Sequence, residues 1–271
     1  MTAKNSRQSE NMVDHPKISI VTPSLNQGEF IEEAIRSVLS QGYPALEYII
    51  MDGGSSDHTL AVLEKYSGQI KWISEKDEGQ TNAINRGLRW AEGSILAYLN
   101  ADDRLLPGAL SKVAQVFAQN PDAMWLTGKC RIVDRHDREI RRPITLYKNL
   151  LLSLGNFPLL VMTNYISQPA TFWRREVLNA AGYLDESLRY VMDYEYWMRL
   201  FLRYRPLFVP SYLAVFKIQS DSKTTSTGHK TAYVDEEKKI IERHTKSRGL
   251  RFLHDLHRAG MTTAYSLMNR G

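Results

Sequence analysis

Four short apolar runs, spaced by amphipathic segments, constrain what this chain can fold into. Residues 17–22 (Ile18, Ile20, Val21), 46–51, 70–74 and 95–99 read as buried strands. Between the first two, Phe30, Ile31, Ala34, Ile35, Val38 and Leu39 recur at helical spacing after Asn26, until Gln41-Gly42-Tyr43-Pro44 stops the helix. Residues 59–66 and 81–91 supply two more helices. Each crossover is long enough to bring the chain back in the same direction. The pattern therefore predicts an α/β fold, a mostly parallel central sheet flanked by helices.

Beyond residue 105 the alternation breaks down. Pro107 fits the first turn of a helix whose apolar face is Leu110, Val113, Ala114, Val116 and Phe117. Residues 123–127 and 129–133 read as short strands before the turn Asp134-Arg135-His136-Asp137. Helices are predicted over 147–154, 174–181 and 193–204, and an extended stretch over 207–218. The expected organisation is a disordered polar leader at 1–15, one domain over 16–225 (16–104 and a loop-rich half, 105–225), and a helical basic tail at 226–271. Lys238, Lys239, Arg243, Lys246, Arg248, Arg251 and Arg258 alternate in that tail with Ile240, Ile241, Leu250, Phe252, Leu253 and Leu256. Such a pattern suits either peripheral contact with a membrane surface or packing on the main domain.

The single cysteine, Cys130, excludes an internal disulfide and offers no zinc cluster, so a cytoplasmic setting is the default expectation. No apolar run is long enough for a transmembrane helix. The net charge of +5 is mild, and no Lys/Arg stripe with interleaved aromatics points to nucleic acid.

The chemistry concentrates where predicted strands end. Asn100-Ala101-Asp102-Asp103 follows a buried strand, at the edge of an α/β sheet where ligands bind. Oxygen ligands there suit Mg²⁺ or Mn²⁺ and, through the ion, a diphosphate. Asp52-Gly53-Gly54-Ser55 closes the second strand, where Asp52 is placed to meet a base or ribose. A plain turn capped by Ser56 or Asp57 is the alternative, and Asp57 is assigned to capping. Glu75-Lys76-Asp77-Glu78-Gly79-Gln80 reads either as a solvated acidic loop or as the opening of a helix whose free amides suit a phosphate, with Asn85 placed for a sugar hydroxyl and Arg86 for a phosphate or both simply on the surface. Asp193 starts an aromatic-rich helix, either as a general base or as a helix-capping acid.

Taken in order, these segments resemble the large family 2 glycosyltransferases of GT-A fold. Ile18-Ser19-Ile20-Val21-Thr22-Pro23-Ser24-Leu25-Asn26 looks like the opening strand. Asp52-Gly53-Gly54-Ser55-Ser56-Asp57-His58-Thr59 resembles the nucleotide-binding turn, and Ala83-Ile84-Asn85-Arg86-Gly87 the helix beside the donor. Asn100-Ala101-Asp102-Asp103 stands where the DxD motif lies. Gly182-Tyr183-Leu184-Asp185-Glu186, followed by Asp193 and Tyr196-Trp197-Met198, is similar to the segment that carries the base.

The resemblance implies an inverting transfer from a nucleotide-diphosphate sugar, UDP-sugar favoured, to a hydroxyl of a glycan or lipid-linked acceptor in cell-surface polysaccharide synthesis. Thr22, Pro23, Ser24, Asn26, Asp52, Gly53, Gly54, Asn85, Arg86, Asn100 and Asp102 would bind the donor. Asp102 and Asp103 would hold Mn²⁺ or Mg²⁺, and Asp193 would be the base. Three positions depart from the pattern: Gly53 and Asn100 replace acidic residues, and Gln219 stands where relatives often carry histidine. A non-catalytic nucleotide-sugar-binding or scaffold module is the alternative that Gly53 and Asn100 favour. Phe172, Trp173, Tyr194, Tyr196 and Trp197 offer aromatic faces, either for an acceptor sugar or for the core.

Overall fold

The computed structural model describes residues 15–218 and 230–268. The alternation of the first hundred residues stands: β1 (Ile18–Ser24), α1 (Gly28–Leu39), β2 (Leu46–Asp52), α2 (Thr59–Lys65), β3 (Lys71–Ser74), α3 (Gln80–Trp90) and β4 (Ile95–Tyr98). There follow β5 (Arg104–Leu105), α4 (Ala109–Gln119), β6 (Trp125–Val133), α5 (Arg142–Leu154), α6 (Phe157–Met162), β7 (Thr171–Arg174), α7 (Glu176–Ala181), α8 (Met192–Phe201) and β8 (Leu207–Lys217). Two helices close the described chain, α9 (Lys230–His244) and α10 (Arg248–Met268).

All eight strands join one sheet in the order β3-β2-β1-β4-β7-β6-β8-β5. The first four in that order run parallel, and β7 lies antiparallel between β4 and β6. Side chains along β2 alternate between two cores, as strand geometry requires. Ile49 and Met51 face the layer that holds Tyr98, Trp173 and Trp197, whereas Tyr48 and Ile50 face the layer of Ile18, Ile31 and Phe117. Helix α3 lies so close to β1 that a Cβ on Gly87 would overlap the Val21 side chain.

Several boundaries differ from the sequence reading. Pro107 lies two residues before α4, whose N-cap is Gly108 in the left-handed region at φ 77°. The two short strands expected at 123–133 are one strand, irregular around Lys129 where it pairs with β8. The helix expected from Arg174 begins at Glu176, because Thr171–Arg174 is strand β7, fully inside the sheet. The tail packs onto the domain through buried Ile240, Ile241 and His254, while Phe252, Leu253 and Leu256 remain exposed. Among the described residues no helix is long and apolar enough to cross a membrane. Nearly all of the expected leader, and Gln219, lie outside the described residues.

Candidate active site

The ends of β1, β2 and β3 are in register, with Ser24 beside Asp52 and Asp52 beside Ser74. Asp52 is buried and organises this edge. Its Oδ2 accepts from the Gly54 amide (3.1 Å), the Ser55 amide (2.8 Å) and the Ser74 hydroxyl (2.7 Å), and its Oδ1 accepts from the Ser55 hydroxyl. The turn then interlocks with the β1–α1 loop. Asn26, at φ 52°, accepts from the Ser56 amide through Oδ1 (2.9 Å), and its own amide donates to the Ser55 hydroxyl. Asp57 accepts from the Gly28 amide and the Thr59 amide, both at 2.9 Å, so it tethers the starts of α1 and α2, although the N-cap position of α2 is His58.

Three expected donor contacts are altered by these bonds. Thr22 is buried against Tyr48, its hydroxyl 3.0 Å from the phenol oxygen, inside the sheet. Asp52 faces its own turn. Asn85 is buried too: its Nδ2 donates to the Leu184 carbonyl and to Glu186, and its Oδ1 accepts from the Leu184 amide at 3.1 Å. Asn85 thus fastens the Gly182–Glu186 segment to α3. Arg86 is bound to Glu75 at 2.6 Å on the rim. By contrast the Ser24 hydroxyl is buried without a protein partner, a polar atom at the ligand edge that calls for one. Pro23 is buried beside it, and Gly54 is exposed at φ 84°.

Gly53 has a specific neighbour. A Cβ there would sit 2.6 Å from Oδ2 of Asp77, so the Asp77 carboxylate, delivered by the β3–α3 loop, fills the space a side chain at 53 would take. The other Asp77 oxygen accepts from the Gly79 amide at 2.8 Å, which fixes its orientation.

Beyond β4, Asp103 is fully buried and both its oxygens are engaged. Oδ1 accepts from the Lys217 amide (3.1 Å), and Oδ2 accepts from Asn100 Nδ2 (3.1 Å). Burial, together with the adjacent Asp102 carboxylate, pushes Asp103 well above the usual carboxylate range. Asn100 bridges further, accepting from Gln80 (2.8 Å) and donating to Gln168, which itself donates to the Tyr98 carbonyl. Asp102 is partly exposed. Burial raises it, against the pull of the nearby Lys217 ammonium. That ammonium is paired with Glu33 (2.6 Å) and Asp137 (3.2 Å). Among the described residues no group of three or more His, Cys, Asp or Glu side chains could enclose a metal ion. The pair offers a divalent ion one partly exposed carboxylate, Asp102, while Asp103 is buried and shapes the turn.

Asp193 lies in the first turn of α8, one residue past the helix start and two past the N-cap Val191. Its Oδ1 accepts from the Tyr194 amide (2.7 Å) and its Oδ2 from Asn164 Nδ2 (3.4 Å). Burial raises its pKa, and the Lys148 ammonium pulls the other way. Burial pushes the Tyr98 hydroxyl well above the ordinary phenol range, and the charges of Asp193 and Asp103 act in the same direction. Lys148 in turn is lowered by burial while feeling Cys130 and Asp193. Glu195 belongs elsewhere, buried against Arg199 (2.6 Å) and His244 (3.2 Å), and Arg199 donates to the Ala181 and Tyr183 carbonyls. Phe172, Trp173, Tyr194, Tyr196 and Trp197 are all at most 1% exposed, so these aromatics are core rather than acceptor platforms.

Sequence reasoning missed Asp77, Lys148, Asn164 and Gln168. Asp77 was visible only as part of an acidic loop. The other three sit on elements whose spacing carries no chemical signature.

The family model Glycosyl transferase family 2 matches residues 19–181. The chain is 26% identical over 226 residues to the GalNAc(5)-diNAcBac-PP-undecaprenol beta-1,3-glucosyltransferase of Campylobacter jejuni, covering 80% of this chain and 70% of that one. In fold it is similar to the mannosyltransferase PcManGT from Pyrobaculum calidifontis in complex with GDP-Man and Mn²⁺ (TM-score 0.68, 19% identity, 89% of this chain and 69% of that one). It is likewise similar to S. aureus TarS in complex with UDP-GlcNAc (TM-score 0.64, 20% identity, 83% and 65%). The chain spans little more than half the length of several curated relatives it matches, 54% of one and 59% of another.

Proposed function

The chain belongs to glycosyl transferase family 2, and from that premise we propose that it moves a sugar from a nucleoside-diphosphate sugar to an acceptor hydroxyl with inversion at the anomeric carbon. The observation that supports this reading is helix α3, which bonds to the acidic turn through Gln80 and Asn100 (2.8 Å) and to the segment leading into Asp193 through Thr81 and the Leu188 carbonyl (3.0 Å). In this reading the acidic turn and the candidate base lie on either side of the bound sugar, as an in-line displacement needs.

In this reading the nucleotide rests on the interlocked loops at the ends of β1 and β2. Ser24 donates its unpartnered hydroxyl, and Asp77 takes the base- or ribose-reading role left open by Gly53. Asp52, Asn26, Thr22 and Asn85 hold that surface in shape. Asp102 would hold Mn²⁺ or Mg²⁺, which would supply charge neutralisation on the leaving group. Asp193 takes the proton of the acceptor hydroxyl as the oxygen attacks, Asn164 orients the carboxylate, and Lys148 favours its ionised form. The undecaprenol-linked relative favours a lipid-linked or glycan acceptor, and the TarS likeness is compatible with a UDP-sugar.

A non-catalytic nucleotide-sugar-binding module is the second reading, favoured by the engagement of both Asp103 oxygens inside the protein. Release of nucleoside diphosphate from a panel of UDP-, GDP-, dTDP- and CMP-sugars with Mn²⁺ separates the two. Slow hydrolysis that Asp193→Asn abolishes supports the transferase, whereas ligand-induced thermal stabilisation without any release supports the module.

A further inference from the structure

Nine large apolar side chains stand exposed among the described residues, and six of them lie on two helices. Leu146, Leu150 and Leu154 follow one another at i, i+4 and i+8 along α5, a single stripe. Phe252, Leu253 and Leu256 form the second stripe on α10. The helices meet where the Tyr147 and His257 rings stack at 5.8 Å and the Tyr147 hydroxyl lies 2.8 Å from His257 Nε2. On α5, Ile144, Leu151 and Leu152 turn inward on one side of that seam, and the three leucines turn outward on the other. On α10, His254 turns inward and Leu253 and Leu256 outward. The stripes therefore form one patch across the seam.

Each stripe begins one turn after an exposed cation, Arg142 before Leu146 (its guanidinium also 3.3 Å from Glu139) and Arg248 before Phe252. An outward leucine surface with arginines at its margins complements a bilayer with anionic headgroups, the apolar side chains entering the interface and the cations meeting phosphate. The chain's net charge of +5 acts in the same direction. We propose that the α5–α10 face seats the protein on an anionic membrane surface. The inner side of the same α5 carries Lys148, whose ammonium lies within the field of Asp193. Resting on the transferase reading, the seated orientation would bring the acceptor side of the cleft to the bilayer, where the hydroxyl of a lipid-linked sugar arrives.

The test is sedimentation of the full chain with vesicles of phosphatidylcholine alone and of phosphatidylcholine mixed equally with phosphatidylglycerol. Binding is expected to the mixed vesicles, salt-sensitive, and weakened about tenfold by each of Leu150→Glu and Leu253→Glu. The double change Arg142→Glu/Arg248→Glu should remove the preference for anionic lipid. These positions are exposed and outside the candidate site, so release of nucleoside diphosphate from a soluble donor should be unchanged in every variant. No sedimentation of the wild type, or equal sedimentation of all variants, overturns the surface while leaving the transferase reading intact. Concentration-dependent self-association that Leu150→Glu abolishes, without vesicle binding, overturns it in favour of a second copy of the chain.

Discussion

The backbone amide of Lys217 donates to Oδ1 of Asp103 at 3.1 Å, pinning the end of β8 to the acidic turn after β4 across 114 residues of sequence. The two adjacent aspartates therefore separate into different tasks. Replacing Asp103 with alanine leaves the Lys217 amide and Asn100 without their acceptor inside the protein. We expect it to cost roughly 2–4 kcal/mol and to lower Tm by roughly 5–15 °C. Asp102→Ala, at the partly exposed position, should leave Tm nearly unchanged and remove metal-dependent donor turnover. Thermal unfolding without metal, set beside donor hydrolysis with and without chelator, checks both. Equal destabilisation by the two changes would contradict the division.

Asp193→Asn should reduce turnover by about 10²–10⁴-fold while donor affinity stays near that of the wild type. A second readout comes from pH. The carboxyl accepts a proton only when ionised, so activity rises with pH through its pKa, and burial moves that rise above the ordinary carboxylate value of about 4. The Asn164 hydrogen bond and the Lys148 charge oppose the upward shift. Asn164→Ala and Lys148→Met should each carry the acid limb of kcat/KM to still higher pH. A limb that ignores both changes assigns it to another group.

Donor recognition through Asp77 makes a paired prediction. Asp77→Asn removes a charged acceptor, and Gly53→Ala drives a methyl group to within 2.6 Å of the same oxygen. Each should weaken nucleoside-diphosphate binding about tenfold in titration calorimetry. Retention of full affinity in both variants would leave the base to backbone contacts alone.

Far from the cleft, Glu47 offers a test of acid stability. Burial alone would raise its pKa, but hydrogen bonds from Lys71, Ser19 and the Glu92 amide outweigh it and hold the group at about 2. A depressed folded value means stability that is present above the unfolded carboxylate range and drains away as pH falls toward 2. Glu47→Gln should lower Tm at pH 7 by roughly 2–8 °C and flatten its fall between pH 4.5 and pH 2. Melting curves across that window decide it.

The first half of the fold was readable because β1, β2 and β4 are buried on both faces and its helices carry one apolar stripe each, so periodicity and burial coincide. Strand β7 escaped notice for a physical reason: four residues in the sheet centre, Thr171-Phe172-Trp173-Arg174, are too few to show a period, and the helical pattern after them is continuous. At the candidate site, the sequence singled out the acidic turn, the Asp52 turn and Asp193 by their places after strands and at a helix start. It could not say which polar atoms face a ligand. Thr22 and Asn85 have the same composition whether they point to a sugar or to Tyr48 and Leu184, and only tertiary packing decides. The lone Asp77 became meaningful through its position above Gly53, a contact between two loops 24 residues apart.

The handshake between Asn85 and Leu184 has a bearing on engineering. Swapping residues 182–200 for a homologous stretch, in pursuit of a new acceptor, would transplant one half of a two-part fastener. Recombinants that import the matching α3 along with the graft should assemble, and those that keep a mismatched partner should loosen the joint between nucleotide cradle and base before any change of specificity can be seen.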